Sequence, residues 1–268
     1  IYKMKKNIKF PKEENLKLIE KFFLKKKLNN LIKLSKKPDL KVNNFSSTEQ
    51  YKPELIDLYR LYQFIVLNKR TTILEFGCGW SSILFSLALE QNKKNYITEV
   101  KNLRRNNIFE LYSVDDNKKY INLTKKSLRK YTKYDALKTN LAYSKVNITK
   151  FNDRISTEYK TIPSISPDFI YLDGPEQMNI GGKLNGFHMN HPDIVPMACD
   201  ILKIEYFLTP GTIILVDGRA ANARFLKNNF QRKWNYNFSK KYDQHIFLLD
   251  EEPYGKFSLL QKKFYKKL

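Results

Sequence analysis

Between residues 12 and 37, apolar side chains recur among lysines at Leu16, Leu18, Ile19, Phe22, Phe23, Leu28, Leu31, Ile32 and Leu34. That spacing predicts one or two amphipathic helices, read as a cap on the main domain. Lys37-Pro38-Asp39 breaks the pattern, and the polar stretch 43–52 reads as a loop. Pro53 suits a first helical turn, and Leu55, Leu58, Leu61, Tyr62 and Ile65 continue it at helical spacing. The pattern then changes. Short apolar runs at 72–76, 110–114, near 142–148, at 168–173 and at 212–217 are separated by helical stretches at 82–89, 118–130 and 219–230. Segments 236–239 and 245–249 read as a closing antiparallel pair, and 91–107 is polar with no element assigned. Strands apolar on both faces and alternating with helices predict an α/β fold: a doubly wound, mostly parallel sheet with an N-terminal helical appendage. The expected division is a basic helical extension over 1–52 and the main domain over 53–268.

Composition changes this picture little. The 268-residue chain carries a formal charge of +22, with Lys+Arg at 49 and Asp+Glu at 27. Such a charge points to a polyanion or an anionic membrane face. Lysine accompanied by abundant Asn and Ile favours the simpler reading of a general lysine bias on solvated faces. The excess is densest over 3–41 and 262–267, the segments to examine for nucleic acid. Two cysteines, Cys78 and Cys199, have no disulfide or zinc spacing. With no apolar run near the ~18 residues of a membrane span, the expectation is a cytoplasmic protein.

The chemistry concentrates at Ile73-Leu-Glu-Phe-Gly-Cys-Gly-Trp-Ser-Ser82. In a doubly wound sheet, ligands bind beyond the carboxyl ends of the strands, where strand order reverses. Gly77 and Gly79 let the chain turn from strand to helix and let a ligand approach the backbone, Cys78 is a small residue between them, and Ser81 and Ser82 can cap the helix. A dinucleotide fingerprint would place a third glycine where Ser82 stands. Glu75, two residues ahead of Gly77, disfavours a pyrophosphate and suits a positively charged ligand. Glu75-x-Gly77-x-Gly79 resembles the first motif of class I S-adenosylmethionine-dependent methyltransferases, over roughly residues 53–249. The resemblance implies that S-adenosylmethionine is held by Glu75, Gly77, Cys78, Gly79, Ser81, Ser82 and Asp173. It also implies that an acid ending the second strand, Asp115 in preference to Asp116, takes the ribose. Asn152 and Asp153 read equally as adenine neighbours or as a turn.

Asp173-Gly-Pro175 and Asp217-Gly-Arg219 end two neighbouring strands, and paired carboxylates can hold a hard divalent ion. Metal-dependent O-methyltransferases resemble this arrangement, which implies Mg2+ on Asp173 and Asp217. In the catechol type an Asn directly follows the second acid; Gly218 stands there, leaving Asn222 as the substitute. Without a metal, Asp173, His188 or His191 is the candidate general base, the histidines lying in the 181–192 connection. His245 reads as structural. Arg219, Arg224 and Lys183 can clamp an anionic acceptor, the arginines reading equally as salt-bridge partners of Asp173 and Asp217. The expected activity is methyl transfer to an oxygen, or secondarily a nitrogen, of an anionic or sugar-like small molecule. The competing readings are an RNA methyltransferase, supported by charge but lacking a stacking motif, and a non-catalytic binding protein of the same fold.

Overall fold

The computed structural model describes residues 7–38, 51–133 and 138–266. Lys3 to Lys6, residues 39–50 of the expected break and loop, and Lys267 lie outside the described residues. Helix α1 (Leu16–Lys25) starts where the Asn15 side chain accepts the Leu18 N–H, an N-cap that satisfies an otherwise orphaned donor. Helices α2 (Asn29–Ser35) and α3 (Leu55–Leu67) follow. Ile19, Phe23, Leu31, Leu61 and Ile65 from these helices join Ile73, Leu111, Phe169 and Ile213 of the sheet in one apolar cluster, so the N-terminal helices cover one sheet face.

The main sheet has seven strands in the order β3-β2-β1-β6-β7-β9-β8. Its members are β1 (Thr72–Phe76), β2 (Glu110–Asp115), β3 (Thr139–Tyr143), β6 (Phe169–Leu172), β7 (Ile213–Asp217), β8 (Trp234–Ser239) and β9 (Gln244–Leu249). β9 pairs antiparallel with both β7 and β8, while the pairings from β3 across to β7 are parallel. This is the expected doubly wound α/β sheet. Side chains alternate along each strand: Ile73, Tyr171 and Leu215 face α3 and α4 (Trp80–Tyr96), with Leu128 of α5 (Lys118–Tyr131) in the same cluster, whereas Leu74, Phe76, Leu172 and Val216 face the other layer.

That other layer corrects the expectation of one strand near 142–148. β3 ends at Tyr143, the buried Ser144 donates its N–H to the Asp115 carbonyl, and the chain leaves the sheet. Strands β4 (Val146–Phe151) and β5 (Arg154–Tyr159) then form a separate antiparallel hairpin. The single apolar run therefore belongs to two sheets. Asn152 and Asp153, with φ of 47° and 58°, are the turn of this hairpin. The hairpin packs with α6 (Asp200–Lys203) and α7 (Ala220–Asn229) over the second face.

The polar 91–107 stretch also has structure. α4 runs to Tyr96, and the wholly buried Asn92 donates to the Ile65 and Arg70 carbonyls, so a polar residue serves as a clamp between helices. Val100 and Leu103 then pack with Phe264 of α8 (Gly255–Lys266), a helix the periodicity reading missed. α8 also closes the amino end of the sheet. Asp168 accepts bonds from the Thr71 and Thr72 N–H groups, the Thr71 hydroxyl and the Tyr265 hydroxyl, and the buried Arg70 lies 4.0 Å from the Tyr265 ring centre. Part of the basic C-terminal run is thereby engaged in packing. No helix among the described residues is long and apolar enough to cross a membrane.

Candidate functional site

β1 has β2 on one side and β6 on the other, so strand order reverses at its carboxyl end, and that is where the groove opens. The turn after β1 is pinned from two directions. From below, Glu75 is fully buried and accepts hydrogen bonds from the hydroxyls of Ser81, Ser82 and Ser113 at 2.6, 2.6 and 2.5 Å. Ser82 in turn accepts the Gly79 N–H at 3.2 Å, capping α4. From the side, Asp115 accepts the Cys78 N–H at 2.8 Å and the Asn117 N–H at 2.7 Å. Gly77, at φ 89°, packs on the backbone of Asp173 and Gly174.

Three cavities meet at Asp173, with volumes of about 740, 300 and 510 Å³. The largest lies beside Gly79, Trp80 and Ser81 and reaches Asp57, Tyr171 and Asp217. The 300 Å³ cavity is lined by Gly77, Cys78, Asp115, Asp116 and Asn117. The third runs past Val195, Pro196, Gly218 and Arg219.

The walls are rich in acids. Burial pushes Glu75 up to about 7 against the three serine hydroxyls. Burial raises Asp115, and burial with the charge of Asp115 raises Asp116 to about 7. Asp116 Oδ2 and the Tyr159 hydroxyl are buried without a hydrogen-bond partner among the described residues. The Asp173 side chain opens to the groove, yet dense surrounding protein drives its carboxyl to about 7 against the pull of Arg219, with Asp217 and Asp115 adding to the rise. Asp217, raised by burial to about 6, accepts the Tyr171 hydroxyl at 2.7 Å.

The fold brings Gly77, Cys78, Gly79, Ser81, Asp115, Asp173, Asp217, Arg219 and Asn222 to these cavities. It does not bring others. Glu75 and Ser82 lie beneath the turn, where they shape it without lining a cavity. His188 and His191 are exposed on their connection and line none of the described cavities. Gln177 Nε2 fixes the His191 carbonyl, and the ring of His191 accepts the Asp193 N–H. Lys183 and Arg224 are likewise exposed outside the cavities. Arg219 donates to the Asp173 carbonyl at 2.6 Å and faces its carboxylate at 3.9 Å, so this cation is matched by an acid. His245 is buried beside Tyr236 and Phe238, the structural role expected for it.

The divalent-ion reading also changes. Asn222 is 1% exposed, with Oδ1 and Nδ2 engaged by the Ala198 N–H and carbonyl. Asp217 is held by Tyr171 and Asp173 by Arg219. Among the described residues no group of three or more His, Cys, Asp or Glu is arranged to hold an ion. These donors do not fit the expected Mg2+ site.

Tyr51, Asp57, Tyr120, Tyr171 and Tyr242 also line the groove, unread in the sequence. Tyr171 had a legible signal: it stands two residues before Asp173 in a strand, hence on the same side.

Neither a protein-family model nor a curated protein sequence matches the chain. Among solved structures, it is similar to an SAH-bound methyltransferase of Podospora anserina at 15% identity and TM-score 0.47, over 91% of this chain and 100% of that one. It is also similar to an O-methyltransferase of Bacillus cereus in complex with SAH, at 12% identity and TM-score 0.40 over 90% and 92% of the two chains. A third is an O-methyltransferase of Streptomyces achromogenes involved in tomaymycin synthesis, in complex with SAM, at 12% identity and TM-score 0.39 over 90% and 92%.

Proposed function

We propose that the protein is an S-adenosylmethionine-dependent methyltransferase acting on an oxygen or nitrogen of a small molecule. The observation that carries this reading is an acid-walled groove at the β1/β6 switch point, entered by the Gly77–Gly79 turn, in a chain of charge +22. Acids concentrated there, against the bias of the whole chain, suit a cofactor bearing a sulfonium and an ammonium.

The residues of the 300 Å³ cavity fit the adenosine half. Asp115 and the unpartnered Asp116 Oδ2 are acceptors for the hydroxyls and amino group of a nucleoside. The Gly77–Gly79 turn would hold the methionine part, and Asp173 the positive charge. When bound, the cofactor supplies a methyl carbon made electrophilic by its sulfonium, with a neutral thioether as leaving group. The chain's contribution is positioning, exclusion of water and a place for the acceptor's proton. Asp217 is the candidate for that proton, since Tyr171 orients its carboxylate where two cavities meet.

Calorimetric titration with S-adenosylmethionine and S-adenosylhomocysteine tests the reading. Micromolar binding of both, weakened about tenfold or more by Asp116→Asn through loss of a charged hydrogen bond, is expected. Absence of binding by the wild-type protein overturns it.

A further inference from the structure

The 740 Å³ cavity extends past the turn to a region where side chains from three distant segments meet. Asp57 comes from the first turn of α3, Asp217 from the end of β7, and Tyr242 and Asp243 from the β8–β9 connection. Trp80 and Tyr171 add further rings to the wall. Burial raises Asp57 to about 7; its hydrogen bond with Glu54 and the charge of Asp217 add to the rise, and Arg60 opposes it.

Arg60 attracts the Asp57 carboxylate from beyond ion-pair distance. Among the described residues no ion pair within 4.0 Å includes Asp57, Asp217 or Asp243. The cavity's acids, Glu54, Asp57, Asp173, Asp217 and Asp243, outnumber its lysines, Lys52, Lys240 and Lys241, and two nearby cations have other partners. Lys241 pairs with Glu13 at 2.7 Å. Arg60 lies 3.5 Å from the Tyr242 ring centre and donates to Gln244. The dipole of α3 favours an acid at Asp57, but it does not account for a second acid approaching from the sheet. Bringing like charges together in a partly dehydrated wall is unfavourable until a cation joins them. The aromatic rings around them offer the same ligand a second attraction.

We propose that the acceptor is an amine that enters as its ammonium, held in this cavity by Asp57 and Asp217 with the rings of Trp80, Tyr171 and Tyr242 around it; its proton passes to the Asp217 carboxylate, which frees the nitrogen lone pair for methylation. This replaces the anionic acceptor expected from the sequence: Lys183 and Arg224 lie outside the cavities, and Arg219 is turned to Asp173. The assignment rests on the methyl-transfer reading for calling the bound molecule an acceptor; the preference for a cation rests on the cavity alone.

The test titrates three probes of one shape, phenethylammonium, 2-phenylethanol and phenylacetate, into the full chain, with and without S-adenosylhomocysteine. Phenethylammonium is expected to bind about tenfold or more tightly than either analogue, as a charge-assisted hydrogen bond implies. Asp57→Asn should remove most of that preference, Asp57→Glu should restore part of it, and S-adenosylhomocysteine affinity should stay within about twofold in both. Phenylacetate or 2-phenylethanol binding as tightly as the amine overturns the proposal. So does an Asp57→Asn variant that keeps the preference, or one that instead loses S-adenosylhomocysteine. If the wild type fails to bind S-adenosylhomocysteine, methyl transfer is refuted, and the ranking without it still decides the amine preference.

Discussion

Gly77 and Gly174 lie backbone to backbone: a Cβ on Gly174 would stand 2.7 Å from the Gly77 nitrogen and 2.6 Å from the Tyr159 hydroxyl. The turns leaving β1 and β6 are thus fitted to each other, and their contact forms the floor on which the acidic side chains converge. Neither nitrogen nor Cα of Gly77 can yield as the end of a flexible side chain can.

Gly174→Ala is therefore expected to lower stability by about 1–3 kcal/mol, the range for overpacking a filled interior. Urea denaturation measures it. Adding Tyr159→Phe should restore only part of the loss, because the clash with the Gly77 backbone remains. An unchanged urea midpoint in Gly174→Ala would show that the two turns separate easily.

Asp217 and Tyr171 give a kinetic prediction. With Asp217 as proton acceptor, kcat should fall on the acid side of about pH 6, where its carboxylate protonates. The Tyr171 hydroxyl favours the ionised form, so Tyr171→Phe should move that limb to higher pH. Asp217→Asn should lower kcat by about 10²–10⁴-fold with cofactor affinity retained. A limb that stays in place in Tyr171→Phe would assign the titration to another group.

Glu75 makes a prediction about stability. Its carboxyl is raised from 4.5 to about 7 by burial, so the folded protein binds the proton more tightly than the unfolded chain. The contribution is fully present below 4.5 and is lost as pH rises through about 7. Between pH 5.5 and 7.5 this group alone should cost about 2 kcal/mol. Denaturant midpoints at the two pH values should show a smaller drop in Glu75→Gln than in the wild type; equal drops would place the ionisation elsewhere.

At the opposite end of the sheet, Asp168 holds Thr71, Thr72 and Tyr265 together beneath β1 and β6. Asp168→Ala leaves those donors buried and unpaired and should cost about 3–5 kcal/mol. Cofactor affinity should be unaffected in the surviving folded fraction, which calorimetry below the unfolding transition would measure.

Much of the framework was legible before the fold was known. Fully apolar runs such as Ile213-Ile-Leu-Val216, too short for a helix and flanked by Gly211 and Gly218, read as strands buried on both faces, and Gly77-x-Gly79 after such a run marks a tight exit into a helix. The parts misread share a cause. Periodicity reports which side chains are apolar and not which surface they join, so the run across Tyr143 to Ile148 concealed a change of sheet. α8 was missed because its buried positions, Gln261 and Phe264, sit among lysines that read as solvent-facing.

The alternation of strands and helices, the glycine turn and the two strand-ending acids are local properties, set by neighbours a few residues apart. The partner each of these polar side chains meets came from the packing. Glu75 was drawn beneath the turn onto three serines, Asn222 onto the Ala198 backbone, Asp173 onto Arg219 and Asp217 onto Tyr171. It also carried His188 and His191 outward and brought Asp57 across to Asp217, since contacts between residues far apart in the chain are set by how the layers pack.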